Sequence, residues 1–277
     1  MELCFNLWKG MVITMSKLYD GSYDLFENQA KSFFEQGDYR AAENCFLFLQ
    51  QKCEYNAQRD PRWLLELPVC YMNIGKFYKK IEKIDSSEKY LLKALNATET
   101  LTKEKPEEFN KIGLCNVYYE LMNFYIDLKK ADESSVYYSK LLELLDQLIN
   151  VSSDLEHREN LCLKKKEVIN ENFHRFFYRT KTDYLETIRQ MLIIYSIQVN
   201  AEKTANILNT IIPLCEALVE KEPELYVPYL ASFYLTAYTF SFNNEFLNQA
   251  LSYANKYPDN NICKDVIDLA NGLSSFQ

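Results

Sequence analysis

A pattern of large and small apolar residues returns three times in the first half of this chain, and each return has room for two helices. Its clearest copy reads Tyr71, Ile74, Gly75 and Tyr78, then Ile84, Ser87, Leu91 and Ala94. A later copy carries Tyr118, Leu121, Met122, Tyr125, Ala131, Ser134, Tyr138 and Leu141. An earlier one has Phe26, Gln29, Ala30, Phe33, Gly37, Tyr39, Ala42, Phe46 and Leu49. Apolar residues three and four apart mark amphipathic helices. Self-similarity at intervals of about 45–50 residues marks units that bury their apolar faces only by stacking on one another. The chain therefore reads as an array of helix pairs, an architecture built around a surface that holds another molecule.

Breakers divide the chain into such pairs. Gly37-Asp38 separates helices over about 22–36 and 39–57, Asp60-Pro61 opens the next helix, and Ile84-Asp85-Ser86 opens its partner. Acids after Pro106 begin a third pair, where they favour the positive end of the helix dipole. A capping run at Val151–Asp154 begins a fourth. The expected organisation is an N-terminal extension or capping helix over 1–21, followed by one continuous repeat domain over 22–277. Its best units span about 22–58, 60–103 and 107–149, with weaker ones over 154–197 and 201–258 and a cap over 260–277. Met11 and Met15 are alternative starts to Met1. Only 6 Gly and 7 Pro occur, too few for the turns of a strand-rich fold.

These offsets resemble the tetratricopeptide repeat (TPR) superfamily. The resemblance lies in a large residue (Phe26, Tyr71, Tyr118), a site where the two helices meet (Ala30, Gly75, Met122) and an aromatic (Phe33, Tyr78, Tyr125). On the second helix it continues with small residues (Ala42, Ser87, Ser134) and two interface fillers (Phe46/Leu49, Leu91/Ala94, Tyr138/Leu141). A fourth unit counted from Val168 puts Glu171, Arg175, Tyr178, Thr187, Met191 and Ile194 in these places, with Arg175 departing from the small-residue rule. The first helices are long, as in kinesin light chains and bacterial peptide-sensing regulators. The resemblance implies an all-α, right-handed superhelix (α-solenoid) of antiparallel helix pairs, with the first helix of each pair facing a ligand. The residues so placed are Asn28 and Lys31, then Asn73, Lys76 and Lys80, then Tyr119 and Asn123, then Asn172 and Arg179.

Asparagine amides can bond an extended peptide backbone, and the lysines would attract an acidic segment. The function implied is a non-catalytic protein- or peptide-binding scaffold. The alternative is a peptide-responsive regulatory sensor whose superhelix changes curvature on binding. The carboxylate clamp of chaperone-binding relatives is not matched, because Glu27 and Glu120 stand where basic groups belong.

Catalytic chemistry finds little material. His157 and His174 are the two histidines, which excludes a multi-histidine metal site, and no glycine-rich phosphate loop occurs. No cofactor or metal is implied. A net charge of −8 disfavours nucleic acid, whose phosphates need a clustered positive face. Residues 225–244 carry no charge, yet their Tyr, Ser, Thr and Asn content and Pro228 disfavour a membrane span. None of the 8 Cys forms C-x-x-C, which suits buried thiols in a cytoplasmic protein. A homo-oligomer is compatible with this reading. Lys164-Lys165-Lys166 reads as a solvated helix face.

Overall fold

The alternation of apolar faces builds helices throughout. The computed structural model describes residues 22–172 and 177–274. The 1–21 extension and His174 lie outside the described residues, and so does the side chain of Arg179. Among the described residues there are twelve α-helices, one short 3-10 helix and no strand. They are α1 Ser22–Glu35, α2 Tyr39–Ala57, the 3-10 helix Pro61–Leu65, α3 Glu66–Lys80, α4 Ile84–Glu104, α5 Glu108–Asp127 and α6 Ala131–Val151. There follow α7 Leu155–Asn172, α8 Phe177–Ile197, α9 Ala201–Val219, α10 Pro223–Ser241, α11 Asn244–Ala254 and α12 Asn261–Ser274. The chain forms two compact units, Met1–Leu144 and Leu145–Gln277, with the division falling inside α6.

In the N-terminal unit α1 packs on α2, α3 on α4, and each pair on the next. The fold is all-α and TPR-like in its pairing. The close approach within the second pair depends on Gly75, since a Cβ built there would stand 2.9 Å from the Leu91 side chain. Ser87 Oγ donates to the Gly75 carbonyl at 2.8 Å, tying α4 to α3 at that crossing. One core gathers Ala30, Ala42, Phe46, Leu49, Ile74 and Phe77, and another Met72, Leu91, Ala94, Val117, Leu121 and Phe124. Each pair contributes to the burial of its neighbour, as the stacking of incomplete units requires.

In the C-terminal unit α8 packs on α7, α10 on α9, and α11 and α12 on α10. The phase here differs from the sequence reading. In the first three pairs the leading helix ends in a left-handed residue, Gly37 (φ 79°), Glu82 (φ 58°) or Lys129 (φ 58°). The next amide then returns to the carbonyl of the aromatic, from Asp38 to Phe33, Lys83 to Tyr78 and Lys130 to Tyr125, each at 2.9 Å. This satisfies a carbonyl orphaned at the helix end. α8 closes in the same way, with Val199 at φ 52° and Asn200 N donating to Tyr195 O at 2.9 Å. Thus α8 ends as a leading helix does although it packs on α7, whereas a count from Val168 makes α8 the second helix. In the corrected phase Ile188, Leu192, Tyr195, Thr204, Leu208 and Ile211 take the pattern's places, and all six are buried.

The lysine run is also corrected. Lys165 is 1% exposed, and its Nζ lies 2.6 Å from Asp146 Oδ1, which also accepts from Gln190 Nε2 at 2.9 Å. Lys164 pairs with Glu167 at 3.2 Å. α10, which carries most of the uncharged stretch, is packed inside its unit, with Tyr226, Leu230, Phe233 and Tyr238 buried. No described helix is long and apolar enough to cross a membrane. Among the described cysteines Cys45 is partly exposed, while Cys53, Cys70, Cys115, Cys162, Cys215 and Cys263 are buried thiols.

Candidate binding surface on the leading helices

The leading helices α1, α3 and α5 of the N-terminal unit are held in their row by tyrosines at their backs. Tyr71 OH donates to Glu54 of α2 at 2.7 Å, and Tyr78 OH to Glu43 at 2.8 Å. Lys83 Nζ reaches both oxygens of Glu43 at 3.1 Å, and Lys93 Nζ lies 3.8 Å from Glu54. One pair later the arrangement repeats. Tyr118 donates to Glu99 at 3.3 Å and Tyr125 to Glu88 at 2.7 Å, with Lys130 and Lys140 over the tyrosine rings. Tyr90 stacks on Tyr78 at 5.5 Å, and Tyr137 stacks on Tyr125 at 5.7 Å. Within the C-terminal unit Tyr195 bonds Glu159 at 3.0 Å with Lys203 at 2.6 Å. Hydrogen bonds to a charged partner contribute about 1.5–3 kcal/mol each when shielded.

The ionisation of this ladder follows its contacts. Burial alone pushes the Glu43 carboxyl up, but bonds from Tyr78 and Lys83 together with the lysine charge hold it below the usual carboxylate range. Glu159 is lowered in the same way against its own burial, by Lys203 and Tyr195. Burial and the Glu99 charge push the Tyr118 phenol up to about 12. Burial, then the bonds to Glu43 and Glu88, raise Tyr78 and Tyr125 as well. The tyrosines therefore stay protonated donors at neutral pH, and Glu43 and Glu159 stay carboxylate acceptors. A periodic Tyr, Glu and Lys signal was present in the sequence, but its partners lie 17 to 19 or 35 to 37 residues apart on different helices.

The opposite side of the row carries the residues expected to meet a ligand. Asn28 and Lys31 are exposed on α1, and Lys31 pairs with Glu27. Asn73, Lys76, Tyr119 and Asn123 are half-buried, and Lys80 is exposed. The structure brings α3 and α5 together through Lys76 with Glu120 and through Lys79 with Asp127 at 2.5 Å. Lys80 Nζ lies 5.2 Å above the Phe34 ring of α1. Of the lysines read as bait for an acidic segment, Lys31 is thus paired with a carboxylate of α1 and Lys76 with one of α5, which lowers the positive charge of the row. Asn28, Asn73 and Asn123 make no hydrogen bond to another described residue, so their amides are unengaged.

Of the fourth set of expected residues, Asn172 belongs to the C-terminal unit and the side chain of Arg179 lies outside the described residues. Asn172 is 2% exposed, and its Nδ2 donates to the Val168 carbonyl at 2.8 Å, so it addresses no ligand. In the corrected phase the places of Asn73, Lys76 and Lys80 fall to Gln190, Ile193 and Ile197 of α8. Gln190 is turned inward to Asp146, while Ile193 and Ile197 are 41% and 55% exposed. Arg189 beside them forks onto Glu186 at 2.8 and 3.0 Å. No group of His, Cys, Asp and Glu among the described residues has the arrangement of a metal site.

Solved structures similar to this chain include TPR proteins. A TPR2AB domain of yeast Sti1 in a pHSP90 complex is 15% identical, over 92% of this chain and 100% of that one, with a TM-score of 0.33. A thermophilic TPR protein of Thermus thermophilus is 15% identical over 90% and 97% of the two chains, with a TM-score of 0.26. The apo form of RapI is 13% identical over 85% and 84%, with a TM-score of 0.36. No family model matches the chain, and no curated protein does. With scores this low, the ligands of those proteins say nothing about this one.

Proposed function

We propose that this protein is a binding scaffold without catalytic activity, and that a protein or peptide segment lies across α1, α3 and α5. The supporting observation is the set of unengaged amides, Asn28, Asn73 and Asn123, one on each of three consecutive leading helices. An amide offers both donor and acceptor to an extended backbone, and Tyr119 adds ring area beside them. The neutralised lysines favour recognition through the backbone over recognition of acidic side chains. Affinity capture from the native lysate tests this with wild type and Asn73→Ala/Asn123→Ala. A protein retained by wild type and lost from the variant, whose helical content stays unchanged, is the expected result. Identical retained proteins would remove the row from the function.

A further inference from the structure

The stacking of the third pair on the second leaves a cleft in the N-terminal unit. Its walls include Pro68, Val69 and Met72 of α3, Leu101 of α4, and Phe109 and Val117 of α5. It measures about 20 Å³, room for a group little larger than a water molecule. Asn110, in the first turn of α5, also lines it and is 2% exposed. The Nδ2 of Asn110 donates to the Lys105 carbonyl at 2.7 Å, closing the turn between α4 and α5. A carbonyl can only accept, so this bond fixes which end of the amide is nitrogen. Oδ1 is the end left for the cleft, and among the described residues it accepts no hydrogen bond. The other polar side chain in the wall, Thr98, has committed its hydroxyl proton to the Ala94 carbonyl at 2.7 Å.

A buried acceptor without a donor is unfavourable, and an occupant that brings the missing proton relieves it. The rest of the wall is apolar, so a second polar group on the occupant would find no partner there. A buried water is held by about three polar contacts, more than the side chains of this wall supply. A hydroxymethyl group matches the wall better, with one donor and one carbon. We propose that the cleft between α3, α4 and α5 is a binding site for a hydroxymethyl group, whose O–H donates to Asn110 Oδ1 while its carbon lies against Val69, Met72 and Leu101. Two sources carry that group in the same form, a short free alcohol and the serine side chain of a peptide. The site stands whether or not a segment also crosses the row of amides on α1, α3 and α5.

Isotope-labelled protein is titrated with methanol and, separately, with N-acetylserinamide, below the concentrations that alter helical content. NMR reads the Asn110 side-chain amide and the Val69 and Leu101 methyls. The expected result is a saturable shift of these signals. Saturation by methanol alone assigns the site to a free alcohol, by N-acetylserinamide alone to a peptide serine, and by both to the group itself. Fluoromethane, of methanol's size but without a donor, should bind about five-fold more weakly, the worth of one neutral hydrogen bond. Gly113→Ala should abolish the shifts and keep the far-UV helical signal. Gly113 lines the cleft, and a Cβ there would approach only Thr98 Cγ2, another part of the wall, at 3.8 Å, so the methyl takes the occupant's space. No saturable shift with either probe, fluoromethane binding as tightly as methanol, or shifts that survive Gly113→Ala would each overturn the proposal.

Discussion

Replacing Asp146 with alanine should destabilise the C-terminal unit by about 3 kcal/mol, toward the low end of the 3–5 kcal/mol cost of breaking a buried ion pair. Lys165 is 1% exposed and would lose the carboxylate it is paired with, while Gln190 would lose the acceptor of its amide. The low end applies because Asp146 itself retains 35% exposure, and water can partly replace it. Adding Lys165→Met should return most of the loss, since an apolar side chain of similar length fills the site without an unpaired charge. Urea unfolding of the single and double variants measures both. A single variant within about 0.5 kcal/mol of wild type, as for an ordinary surface substitution, would mean that Lys165 is solvated after all.

The second large effect belongs to Gly75. A branched side chain there drives into Leu91, whose Cγ and Cδ2 stand 2.9 Å from the new Cβ and whose backbone N stands at 3.3 Å. Leu91 is 2% exposed and lies in the core shared with Val117 and Leu121, so it has nowhere to retreat. Gly75→Val should cost about 3 kcal/mol, the upper range for overpacking, and weaken the Ser87 bond that ties α4 to α3. Gly113→Ala is the informative control. Its Cβ would meet only Thr98 Cγ2 at 3.8 Å, so it should gain the roughly 0.5–1 kcal/mol of helix propensity that alanine has over glycine. Thermal unfolding of the two variants should move in opposite directions. Equal shifts of one sign would refute the close crossing at Gly75.

Local signals made the first three pairs readable. Gly37, Asp60-Pro61 and Pro106 punctuate them, and large and small residues alternate at the crossings. The count from Val168 missed the left-handed turn at Val199, which closes α8 as Gly37, Glu82 and Lys129 close the leading helices of the N-terminal unit. The false count from Val168 still put Met191 and Ile194 on apolar places, since both are buried in either phase. That count carried Asn172, a buried residue, into the candidate site.

Charge was the other blind spot. Lys76 read as a ligand-facing cation because its partner, Glu120, sits on the next leading helix and meets it only where α3 and α5 come together. Lys165 read as solvated because Asp146 is 19 residues away on another helix. Periodicity along one helix reports which face is apolar. It does not report what a polar residue on the other face will find opposite it.

A photocrosslinker distinguishes most directly between binding on the leading helices and binding elsewhere. Benzoylphenylalanine replaces Asn73, Asn123 or, on the second helix α4, the exposed Leu92 in three separate samples, each irradiated with the captured partner. Adducts to that partner from positions 73 and 123, with none from position 92, are the predicted outcome. Adducts from position 92 alone would place the partner on the other side of the helix pairs and contradict the binding scaffold described here.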